Sequence, residues 1–221
     1  MTSTASQVFG YLLLAIAAAA MAVGGAGIFR SRLRAVVIYS GVVQLGYAAL
    51  ALSAGLLTGE HAAYVAMVFQ VIAGGVGVAL MWIAARAVTT ERGDALTLPT
   101  DAAQPAWAVF CLTLAGMSLA GLPPLGGLPA KVAIIHSGLR EPGVLFVVTL
   151  GAAALGVVSL WVYAGIVLPL ITGRISAQPA AVSVRMRVGV DLLVAALLCL
   201  GLVPYIGFAI GAVVTGGRYP P

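Results

Sequence analysis

PAWAVFCLTLAGMSLAGLPPLGGLPAKVAIIHSGL, residues 105–139, is the stretch on which the fold turns. It carries almost no charge, yet as one straight helix its 35 residues would run roughly 50 Å, well beyond the ~30 Å of hydrocarbon in a bilayer. The interruption is written into its middle, where Gly121, Pro123, Pro124, Gly126, Gly127 and Pro129 crowd together. Proline can neither donate a main-chain hydrogen bond nor continue a helix, and glycine admits unusual backbone angles. The stretch is therefore expected to form a membrane helix broken near 121–129. In lipid such a break is tolerated only where protein or a water-filled cavity satisfies the released backbone groups, so breaks accompany ion and substrate sites.

Outward from this stretch, further apolar runs cover approximately 7–29, 35–57, 62–88, 143–172 and 188–214, each long enough to cross a bilayer. With 105–139 they predict an all-α polytopic membrane protein of about six transmembrane helices, the fourth discontinuous, in a single transmembrane domain over 1–221. Composition agrees: 62% of residues are hydrophobic and 8% charged, against roughly a quarter charged in soluble domains, and the mean hydropathy is +1.13. The polar stretch 89–104, with Glu91, Arg92, Asp94, Pro99 and Asp101, reads as a solvated loop.

The net charge of +5 points to topology rather than to nucleic acid, because the arginines sit in small groups between apolar runs. Arg30, Arg32 and Arg34, then Arg86 and Arg92, then Arg174, Arg185 and Arg187 fall on one side, leaving little more than Arg140 and Arg218 on the other. Arg-rich loops stay cytoplasmic, so both termini are expected on the non-cytoplasmic side of the cell (inner) membrane. No basic residue precedes the first run and three arginines follow it, so it reads as a retained span and not as a signal peptide.

Chemistry of the soluble-enzyme kind is not written here. Cys111 and Cys199 lack a CxxC or histidine neighbour and read as packing residues, with no metal or cofactor site. Gly24, Gly25, Gly27 and Gly74, Gly75, Gly77 lie inside apolar helices, not at the strand-to-helix turn that binds a phosphate. They suit close helix approach in lipid.

Lys131 is the only lysine, and it stands nine residues before Arg140 at the expected membrane edge. Nine helical residues rise about 14 Å, which puts the amine near the midplane. A lysine there costs on the order of 3 kcal/mol, so it should face the bundle interior, a water-filled cavity or a partner charge. Snorkelling to the interface, or capping of carbonyls loosened by the break, accounts for it without transport. His136, five residues farther and facing a different side, extends a proton route or serves as an interfacial anchor. Gln44 and Gln70 lie within spans, where amides bond across helices. Asp191 is spaced to pair with Arg187, and Glu60 and His61 fall in a short outer turn.

Two stretches carry a resemblance. Residues 32–47, RLRAVVIYSGVVQLGY, and residues 118–139, SLAGLPPLGGLPAKVAIIHSGL, resemble the basic turn with its Tyr-Ser and Gly-Tyr helix, and the Ser-Leu-Ala-Gly and lysine pattern of the broken helix. These belong to the antiporter-like, proton-translocating membrane subunits of respiratory complex I, subunit N above all, and of related hydrogenases and Mrp antiporters. The order of basic loop, outer turn, long helix, broken helix and two further spans is similar over most of residues 7–214. The resemblance implies that Lys131 is the broken-helix lysine of the proton path; Gln44, Tyr47, Gln70 and Ser118 are candidates for polar support beside it, with Gln44 and Gln70 otherwise read as glue between helices. It also implies that the chain resembles only the carboxy-terminal half of that fold, and that the half bearing the membrane glutamate comes from another chain. Gln44 stands where the family usually has a histidine, and an amide cannot carry a proton in that way.

The sequence thus leads to a small membrane subunit of a proton- or cation-translocating complex, surrounded by lipid and other membrane subunits. A scaffold subunit that keeps the fold without transport, and an independent homodimeric carrier, are the alternatives.

Overall fold

The computed structural model describes residues 4–30, 32–88, 104–141, 143–172, 175–176 and 184–216. Most of the expected polar loop 89–104, and with it Arg92, lies outside them, as do Arg174 and Arg218. The chain opens with α1 (Thr4–Gly27), α2 (Leu33–Thr58) and α3 (His61–Val88), an up-and-down trio of apolar helices. The turn between α2 and α3 is tight because Gly59 takes a left-handed φ of 75° and its N–H caps the Gly55 carbonyl. Thr58 Oγ1 braces it by accepting from the Glu60 N–H at 3.0 Å. Ser53 of α2 donates to the Gly10 carbonyl of α1 at 2.8 Å, a bond between helices of the kind that replaces hydrophobic association inside lipid.

Next come β1 (Gln104–Pro105), α4 (Ala106–Ala120), α5 (Gly127–Leu139), α6 (Val144–Thr172) and β2 (Ile175–Ser176). The two short strands pair in parallel, tying the start of α4 to the segment after α6. The chain closes with α7 (Val184–Leu202) and α8 (Pro204–Val214). Among the described residues four helices are long and apolar enough to cross a membrane singly, namely α1, α2, α3 and α6, and α7 with α8 forms a fifth, bent candidate.

That last pair differs from the single helix expected over 188–214: α7 and α8 meet at 92°. Pro204 is the cause, since it removes the N–H that would bond the Leu200 carbonyl and its ring collides with that turn. The chain restarts with the proline at the head of α8, where its fixed φ is favourable.

Three apolar clusters hold the bundle. One gathers Leu33, Val36, Leu80, Met81, Leu112 and Tyr163 from α2, α3, α4 and α6. A second joins Leu14, Met21, Val43, Tyr47, Ile134 and Leu145. The third, Phe69, Ala73, Ala130 and Leu200 with Phe208 against it, wedges α8 onto α3, with Phe69 and Phe208 edge to face at 4.9 Å. Around these the outer surface is apolar: Trp161 and Val213 are each 80% exposed and Leu45 67%. So extensive an apolar exterior is stable only in lipid, and the chain is a multi-pass membrane protein.

Candidate functional site

The break lies between α4 and α5. α4 stops at Gly121, whose φ of 92° lets its N–H reach the Met117 and Ser118 carbonyls while Leu122 N–H also returns to Met117. This is the glycine stop common at helix ends. The backbone of the intervening loop is latched to α7 by Gly126 N–H on the Leu197 carbonyl at 3.1 Å. α5 begins at Gly127, so Pro129, expected to be part of the break, is already helical. Its missing N–H does no harm within a first turn, where no helical carbonyl awaits it.

Two carbonyls are orphaned by this design. In a continuous helix the Leu119 and Ala120 carbonyls would accept from the residues four positions on, and those residues are Pro123 and Pro124, which have no N–H. The Leu119 carbonyl is satisfied by side chains instead. Lys131 Nζ donates to it from α5, and Gln44 Nε2 donates to it from α2 at 3.4 Å. Lys131 is 5% exposed, and its amine also sits 4.6 Å from the centroid of the Tyr47 ring, within reach of a cation–π attraction.

The rest of the cluster fixes these groups. Tyr47 donates its hydroxyl to the Ala152 carbonyl of α6 at 2.6 Å, and Gln70 Nε2 donates to Gln44 Oε1 at 2.8 Å. Ser118 Oγ accepts from the Gly127 N–H at 3.3 Å, joining the two halves of the broken helix. One layer away, Tyr163 donates to Ser40 Oγ at 2.8 Å. The structure thus brings together Lys131, Gln44, Tyr47, Gln70 and Ser118. His136 is not with them; it is exposed on α5.

Sequence reasoning did not single out the Leu119 carbonyl or Tyr163. The first has a signal, proline four residues downstream; the second has none beyond being a tyrosine inside a span. Glu60, read as part of a solvated turn, forms an ion pair with Arg140 at 3.5 Å. His61 Nε2 lies 3.0 Å from Thr215 Oγ1 at the end of α8. Among the described residues no ion pair joins Arg187 to Asp191, and no group of three His, Cys, Asp or Glu side chains is placed to hold a metal.

Tyr47→Phe tests the scaffold of the site. The ring stays beneath the amine while one hydrogen bond is lost, worth about 1 kcal/mol. For a chain of this length that corresponds to a melting temperature lower by about 2–4 °C, measurable by thermal unfolding in detergent.

Known proteins share this architecture. A solved chain of respiratory complex I from Thermus thermophilus superposes with a TM-score of 0.64 at 24% identity, over 90% of this chain and 45% of that one. A chain of the Mrp complex from a Dietzia species does so with a TM-score of 0.68 at 16% identity, over 95% and 47%. At those identities the likeness is one of fold. In sequence, NADH-quinone oxidoreductase subunit N of Methylobacterium nodulans is 33% identical over 149 residues, 62% of this chain. Subunit N of Coxiella burnetii is 28% identical over 203 residues, 87% of this chain. The chain spans 30% and 40% of the length of these two relatives. The family model described as NADH:quinone oxidoreductase/Mrp antiporter, TM, matches residues 1–156, and the chain belongs to that family.

Proposed function

We propose that this chain is an antiporter-like membrane subunit of an ion-translocating assembly and that Lys131 is its protonatable site. The observation that carries the reading is the placement of a buried lysine amine on a carbonyl released by the helix break. Ionisable side chains inside a membrane bundle are expensive and mark ion routes, and broken helices present backbone groups to such routes. Gln44, Tyr47, Gln70 and Ser118 orient the amine, and exposed His136 has a place only at the edge of the route.

The assembly is of the complex I, hydrogenase or Mrp kind. The chain lies in the cell membrane with both termini outside the cytoplasm, beside other membrane subunits. The test is to isolate the tagged chain with its bound subunits in mild detergent, reconstitute the assembly, and measure driven ion flux with and without Lys131→Ala. Loss of flux in an intact assembly supports the reading, and unchanged flux and assembly refute it.

One observation favours a scaffold role instead. The Gln44–Gln70 pair is a hydrogen-bonded junction of two amides, which cannot take up and release protons as a histidine does. On that reading Lys131→Ala changes assembly or nothing, and flux follows assembly alone.

A further inference from the structure

When charged, Lys131 has no counter-ion among the described residues. Among the described residues the acids are Glu60, Glu141 and Asp191; Glu141 and Asp191 are exposed, and Glu60 is engaged with Arg140. A carbonyl and an aromatic face hold the amine but do not neutralise it, and buried charges are ordinarily paired.

From the Leu119 oxygen a hydrogen-bonded line runs first to Gln44 and then to Gln70. Both glutamines line a groove of about 400 Å³ between α2 and α3, together with Gly41, Leu45, Gly75 and Val78. Gln70 is 1% exposed and its Oε1 has no hydrogen-bond partner among the described residues. Gln44 is the twelfth residue of α2 and Gln70 the tenth of α3, so the amides lie at mid-depth. Over them the surface is open: a Cβ on Gly75 meets nothing within 4 Å, and one on Gly41 meets Val78 at 3.8 Å. Leu45, on the groove wall, is 67% exposed.

The groove between α1 and α6 is the contrast. It has nearly the same volume, about 390 Å³, but is lined by Ala18, Met21, Gly25, Phe29, Gly151 and Leu155, without a polar side chain. Acyl chains satisfy that surface. They cannot satisfy an unpaired amide oxygen and a line of donors leading to a lysine.

We propose that the α2–α3 groove seats a transmembrane helix of a partner subunit that carries an Asp or Glu at the depth of Gln44 and Gln70. Its carboxylate accepts the spare amide N–H of Gln44, the less buried of the two amides, and gives Lys131 a counter-charge across that amide. Glycines on the groove wall permit the close approach. Asp191, the one acid inside a described apolar helix, follows Arg185 and Arg187 on α7, so a second copy would bring two positive charges with its acid, and the test tells that occupant apart. This inference rests on the proposal that the chain works beside other membrane subunits, and it names the surface and the chemistry of one.

The test places a photoactivatable benzophenone residue at position 45, an exposed wall position of the groove, with position 151 as control, in the tagged chain in its native membrane. Position 45 is expected to crosslink one membrane-spanning peptide with an Asp or Glu within a helical turn of the contact, and position 151 to give lipid adducts. Gly75→Trp should lower recovery of that partner at least tenfold, and Gly151→Trp should leave it unchanged. Lipid adducts alone at position 45, a crosslink to a second copy, or a helix without an acid overturns the proposal, even where Lys131→Met has abolished flux. An acid-bearing helix in the groove together with unimpaired flux in Lys131→Met overturns the assignment of that acid to Lys131.

Discussion

Lys131→Met is expected to abolish driven ion flux, by at least tenfold, while the protein remains folded and assembled. Methionine fills nearly the same slot with an apolar chain, and replacing a buried ionisable group by an apolar isostere is often neutral or stabilising. The Leu119 carbonyl keeps Gln44 as a donor, so no buried acceptor is stranded. Alanine removes the same amine but leaves a void, so a stability loss of about 2–3 kcal/mol accompanies its loss of flux. Lys131→Arg should recover little. The stem already passes 3.1 Å from where a Cβ on Gly121 would stand, and a planar guanidinium is wider and does not give up its proton in proteins. Flux in reconstituted vesicles, set beside gel filtration and thermal unfolding of each variant, separates chemistry from folding. Wild-type flux in Lys131→Met would remove Lys131 from the ion route.

The largest expected effect on folding is at Gly127. A Cβ there would run into the main-chain carbonyl of Ser118, and backbone on both sides leaves nothing flexible to yield. Gly127→Val therefore has to force α4 and α5 apart at the break. It loses the Gly127 N–H bond to Ser118 Oγ and withdraws Lys131 from Leu119. Overpacking of this kind with loss of buried polar contacts belongs to the severe class, about 4 kcal/mol or more. The expected outcome is little folded protein in the membrane. Gly151→Val, where a Cβ meets nothing within 4 Å, should accumulate normally. Equal yields of the two variants would mean that the halves of the broken helix are not packed as described.

Much of this was legible in the sequence, for physical reasons that differ from residue to residue. Composition declares the membrane because a surface such as that around Trp161 has no stable form in water. The prolines at 123 and 124 declare the break because a missing N–H has a local effect that needs no tertiary knowledge. Burial of Lys131 followed from counting helical rise to Arg140.

What escaped reading depends on partners distant in sequence. Glu60 meets Arg140 across eighty residues, and Tyr163 meets Ser40 across 123; neither spacing leaves a periodic trace. The bend before α8 was missed for another reason. Hydropathy continues through Leu202 and Val203, and that continuity masked Pro204, whose backbone chemistry should have weighed more. Gly74, Gly75 and Gly77 look alike in sequence, yet Gly74 faces Gln44, Gly77 faces Leu119 and Gly75 faces open space. Which side of a helix is covered is decided by its neighbours.

The Leu119 oxygen takes donors from two helices, Lys131 of α5 and Gln44 of α2, and so acts as a hinge pin between them. The loop that follows it is latched to a third helix, α7, by the Gly126 N–H on the Leu197 carbonyl. Gln44 is the longer of the two donors, at 3.4 Å, so a substitution there leaves the oxygen to Lys131 alone and unties α2 from the broken helix.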